Sequence, residues 1–141
     1  MMVGALLAMA GLIYLALGAL HAVFTVLDER NPRRLAPDDP AVTTAMQTSR
    51  VRLSRGATTM WQAWISFNLT HSIAALLFGT VCLIVTAHMG IVVFMPWTLF
   101  ALTATSALFA LIGLRYWFGV PRAGTLIATA LLAVAWVLYT L

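Results

Sequence analysis

"TMWQAWISFNLTHSIAALLFGTVCLIVT", residues 59–86, reads as one unbroken apolar helix that nevertheless carries two tryptophans, an asparagine and a histidine. A helix crosses a bilayer with about 20 predominantly apolar residues at about 1.5 Å rise each, and this stretch exceeds that length. Three others reach it: about Val3–Leu27, Ile91–Leu114 and Ala123–Leu141. Hydrophobic residues make up 62% of the 141 and charged residues 9%, and the mean hydropathy is +0.98. That leaves too little polar surface to cover a water-soluble domain. The expectation is an all-α bundle of four transmembrane helices, a single integral membrane domain over residues 1–141 with one polar loop, residues 28–58.

No Lys or Arg precedes the first apolar run, so a cleavable signal peptide is disfavoured and the segment is expected to stay. Cys82 is the only cysteine and falls within the second span. Neither a disulfide framework nor a CxxC motif can be built from it, and a packing role follows.

All eight basic residues fall between spans one and two (Arg30, Arg33, Arg34, Arg50, Arg52, Arg55) or between spans three and four (Arg115, Arg122). Asp28, Glu29, Asp38 and Asp39 share that side, and the other side has only the termini and the turn at His88-Met89-Gly90. Short basic loops stay in the cytoplasm, so both termini are expected outside. The net charge of +4 is thereby accounted for by topology and by anionic headgroups, worth about 1 kcal/mol per basic residue. Nucleic acid need not be invoked.

The loop has two halves. Pro32, Pro37 and Pro40 with Asp38 and Asp39 make the first irregular, and Asp39 before Pro40 is a cap and first-turn pair. From Ala41 to about Leu53 the pattern predicts a short amphipathic helix at headgroup level, with Val42, Met46, Ser49 and Leu53 on one side. Gly56 then allows a bend into span two.

Within span two, Trp61, Trp64, Asn68, His71, Ala75, Phe78 and Cys82 follow one another in steps of three and four, which places them on one face. Span one has a comparable face in Gly4, Leu7, Gly11, Tyr14, Gly18, His21, Thr25 and Asp28. Membrane helices associate through small residues and side-chain hydrogen bonds, so the two faces are expected to meet, with Gly18 at the crossing. Tyr14, His21, Asn68 and His71 then become a polar cluster, and Trp61 and Trp64 complete the candidate ligand-binding set near the membrane boundary.

The order "GALHAVFTVLD", "AMQTSRVRLSRGATTMW" and "WISFNLTHSIAALLFG" resembles an uncharacterised family of small bacterial four-span membrane proteins with a W-x-x-W-x-x-F-N-x-[ST]-H-S signature in the second span. The likeness covers most of the first eighty residues. It implies a four-span fold in the bacterial inner membrane and carries no activity with it. Its recurring polar and aromatic positions are His21, Trp61, Trp64, Asn68, Thr70 and His71.

Three classes of function are open to such a chain. The first is a non-catalytic accessory or ligand- or lipid-binding module built on the polar cluster, or the same groups serving only to join spans one and two. The second is a redox or metal protein, with His21 and His71 as two axial nitrogens of a haem or two ligands of a metal; CxxCH, Glu-x-x-His and a carboxylate within a span are all missing. The third is a lipid-modifying enzyme or small transporter. There Asp28 or Glu29 would work with His21 as acid and base, yet no nucleophile elbow accompanies them and only Pro96 disturbs a span. Membrane lipids are the expected partners, with a homo-oligomer or larger complex through Gly4, Gly11 and Gly18 if that face is free.

Some signals are discounted. Asn68-Leu69-Thr70 matches a glycosylation acceptor but lies at membrane depth. Thr103, Thr105 and Ser106 are expected to bond their own helix, His88 to be a solvated turn residue, and Trp97, Tyr116, Trp117, Trp136 and Tyr139 to anchor span ends.

Overall fold

The computed structural model describes residues 1–90 and 94–141. Four long helices are present, α1 (Met2–Arg30), α3 (Met60–Ala87), α4 (Met95–Tyr116) and α5 (Gly119–Thr140), with a short α2 (Pro40–Thr48) between α1 and α3. Each long helix is long and apolar enough to cross a membrane, and between 22% and 33% of its most apolar stretch is buried within the protein. The remaining apolar surface would be untenable in water. The chain is a small multi-pass membrane protein of all-helical architecture. The expected beginning of span three at Ile91 lies outside the described residues.

Helix ends follow local chemistry. Asp39 caps α2 by accepting from the Ala41 N–H at 2.8 Å, with Pro40 as the first helical residue. Thr59 and Gln62 form a reciprocal capping box at the head of α3, since the Thr59 N–H donates to Gln62 Oε1 at 2.8 Å and the Gln62 N–H donates to Thr59 Oγ1 at 3.1 Å. Pro96 occupies the first turn of α4, where its missing N–H costs nothing.

The predicted helix from Ala41 to Leu53 is shorter than expected. It stops at Thr48 because Ser49 turns extended and the chain pairs with itself: the Val51 N–H donates to Thr58 O at 2.8 Å, and the Met60 N–H to Ser49 O at 2.9 Å. Arg50 and Thr59 thus form an antiparallel bridge. The enclosed tip has one 3-10 turn, Arg52–Ser54, and closes through Arg55 at φ 50 and Gly56 at φ 89. Left-handed backbone suits Gly56 and strains Arg55; the Arg50 guanidinium steadies the tip by donating to Gly56 O at 2.9 Å. Leu53, assigned to the amphipathic face, is instead 94% exposed on this tip.

The chain divides into two compact units. One comprises residues 1–17 and 75–141, the other residues 18–74. In the first, Leu7, Ala10, Tyr14, Cys82, Leu99, Ala128 and Leu132 make the core. The first part of α1 and the second part of α3 touch backbone to backbone here: a Cβ on Gly79 would lie 2.6 Å from Gly11 O and 2.9 Å from Leu15 N, and one on Gly11 would lie 2.9 Å from Gly79 O. Close approach therefore occurs at Gly11 and Gly79. Gly4 faces Thr86 and Met89, so at Gly4 and Gly11 the small-residue face proposed for self-association is already used within the chain. α4 and α5, joined by only Trp117 and Phe118, pack on each other along their length.

Candidate functional site

The second unit carries most of the side chains singled out from the sequence. His21 on α1 and Asn68 on α3 are directly bonded, Nε2 to Oδ1 at 2.8 Å. The Asn68 amide also donates from Nδ2 to Trp64 O at 2.8 Å. That second bond orients the amide, so Oδ1 faces the ring and His21 Nε2 must be the donor. Thr25 Oγ1 donates to His21 O at 2.7 Å, and Ser72 Oγ donates to Asn68 O at 2.8 Å. Both hydroxyl residues are 1% exposed; each satisfies itself on its own helix, as Ser and Thr do where water is absent. His71 lies beside the pair, its ring edge-on to His21 with centroids 5.4 Å apart and stacked on Phe67 at 6.3 Å.

Tyr14 belongs elsewhere. Its hydroxyl bonds Ser106 Oγ at 2.8 Å, Ser106 in turn bonds Thr129 Oγ1 at 2.7 Å, and Thr129 donates to Thr125 O. The ring packs edge-on against Phe78 at 4.5 Å and tilted against Phe109 at 5.9 Å. This chain of hydroxyls lies in the first unit, so the four-residue cluster anticipated from spacing resolves into a His21/Asn68/His71 node and a separate Tyr14/Ser106/Thr129 relay. Ser106, expected to bond its own helix, bonds two other helices instead. Thr103 does bond its own, donating to Leu99 O, and His88 is exposed at the end of α3 with Nδ1 2.9 Å from Ile84 O.

The tryptophans differ from each other. Trp61 is buried, whereas Trp64 is 37% exposed. The buried face of α3 passes through Ile65 and Ser72, so it is turned slightly from the face drawn through Trp64 and His71. Trp61 Nε1 is the one buried side-chain polar atom without a hydrogen-bond partner among the described residues.

Asp28 is the charge at the end of span one and a candidate acid or base by sequence. It is 1% exposed, and its carboxylate accepts from three successive backbone N–H groups: Arg34 at 2.9 Å, Leu35 at 2.6 Å and Ala36 at 3.2 Å. A carboxylate so engaged ties the loop to the end of α1. Its oxygens are turned to the loop backbone and not to His21. The signal for this was present, since Asp28 ends the same spaced face as Gly11 and Tyr14.

A metal centre would need convergent ligands, and no group of three or more His, Cys, Asp or Glu side chains suited to one occurs among the described residues. Ligation through His21 Nε2 would require breaking its bond to Asn68. The chain matches no family model, no curated protein and no solved structure.

Proposed function

We propose that the protein is a non-catalytic accessory module of a bacterial inner membrane, with both termini outside, in which His21, Asn68 and His71 form a fixed joint within residues 18–74. The observation that carries this reading is the pairing of both ends of the Asn68 amide: its oxygen accepts from His21 and its nitrogen donates to Trp64 O. Groups that satisfy one another directly need no guest, and interhelical bonds of this kind contribute around 0.6 kcal/mol each in a membrane. The edge-on contact of the two imidazoles, with His21 Nε2 turned to Asn68, favours this joint over a haem or metal held between them. The wholly one-sided arginine distribution supports the orientation.

The test is His21→Gln, because an amide can replace the ring's donor. The variant is expected to purify and melt within a few degrees of the parent, and neither protein should show a Soret band or stoichiometric metal. A cofactor spectrum in the parent that His21→Gln abolishes would overturn the reading. Alkaline phosphatase fused after Leu141 should be active; an inactive fusion with a fluorescent cytoplasmic reporter at the same place would reverse the topology.

A further inference from the structure

The head of α3 and the loop before it border an open cleft of about 220 Å³ lined by Leu35, Ala36, Pro37, Met46 and Trp64. The lining is predominantly apolar, and the volume is about seven times the share of one water molecule in the liquid, enough for part of a hydrocarbon chain. Its surroundings are cationic. Arg33 and Arg34 immediately precede the lining stretch and are exposed, as are Arg30, Arg50, Arg52 and Arg55 in the same unit. Against these six stand three exposed carboxylates, because Asp28 is buried and bonded to the loop backbone.

Position along the helix fits a lipid. α3 has 28 residues, about 42 Å at 1.5 Å each, against a hydrocarbon core of about 30 Å. With a charged loop before it and tryptophans in its first turns, the head of α3 falls at headgroup level.

We propose that this cleft takes an acyl chain of an anionic phospholipid from the surrounding membrane, with Arg33 and Arg34 holding the phosphate. The Arg34 guanidinium already lies over the Phe24 ring, 5.3 Å from its centroid; stacking leaves its in-plane donors available to a phosphate. The inference goes beyond the joint at His21 and uses none of its side chains.

Native mass spectrometry of the detergent-purified full chain, titrated separately with phosphatidylglycerol and phosphatidylcholine, tests it. The parent is expected to retain one phosphatidylglycerol with a preference of roughly tenfold or more over phosphatidylcholine, the effect of two arginines near one headgroup. Met46→Trp, which fills the cleft, should lose that lipid, and Arg33→Gln with Arg34→Gln should erase the preference while leaving the fold intact. Should Met46→Trp fail to fold, Ala36→Leu serves the same purpose. Equal retention of both lipids by the parent, or undiminished phosphatidylglycerol on a folded cleft-filled variant, overturns the proposal.

Discussion

The two units of this chain are held together by different means. Residues 1–17 and 75–141 rely on closeness: Gly11 against Gly79, a core of Leu, Ala, Cys and Met, and α4 lying along α5. Residues 18–74 rely on polar side chains, with Asn68 bonded twice and a buried carboxylate gripping three N–H groups. Lipid tails are as apolar as leucine, so apolar helices gain only by packing more tightly than lipid would. Where a loop leaves the regular helix, each freed backbone group needs a partner of its own.

The sharpest way to break this comparison is to separate the glycines. Gly79→Leu places side-chain atoms where the Gly11 and Leu15 backbones already stand, and the loss should reach the upper end of the range of about 1–3 kcal/mol for overpacked sites. Gly119→Ala, where an added Cβ meets nothing within 4 Å, is the control expected to melt like the parent. Equal melting of the two variants in detergent would mean that the crossing is not tight.

Asp28→Ala tests the other unit. Three N–H groups would lose their acceptor, at about 1–3 kcal/mol for an unsatisfied buried donor set, moderated where water reaches the loop. Asp28→Asn keeps one oxygen and should fall between. Limited proteolysis at residues 31–39 reads the outcome: cleavage should accelerate in Asp28→Ala, and an unchanged rate would show that the loop holds without its carboxylate.

The smallest effect belongs to Tyr14→Phe. Ser106 keeps Thr129 when the tyrosine hydroxyl is removed, and the ring contacts with Phe78 and Phe109 survive. A loss of about 0.6 kcal/mol is expected, visible as a small shift in the thermal midpoint. A change as large as that of Gly79→Leu would mean that the hydroxyl relay, and not closeness, organises the first unit.

The four spans were legible because hydropathy and length report them directly, and the Asp39-Pro40 cap because it is a local pattern. Of the eight residues on the α1 face drawn from spacing, Leu7, Gly11, Tyr14, Gly18, Thr25 and Asp28 are buried and Gly4 and His21 partly so. What spacing could not supply was partnership. Tyr14 and His21 share a face but answer to different side chains, since a period of 3.6 says which way a residue points and nothing about what arrives opposite. Thr59-Met60-Trp61-Gln62 was readable as a capping box and would have marked the head of α3. The self-pairing around Arg50 and Thr59 was not readable, because it depends on two backbone segments meeting rather than on either one's composition.

Asp28 also bears on the order in which the chain is made. Its most distant partner, Ala36, is eight residues away, and a loop of about ten residues closes in 10–100 ns, whereas synthesis adds roughly 5–20 residues per second. Once Ala36 has been added and is free to move, the grip can form before the next residue arrives. The grip uses no residue of α3, so the corner after α1 can close before the second long helix of the pair packs.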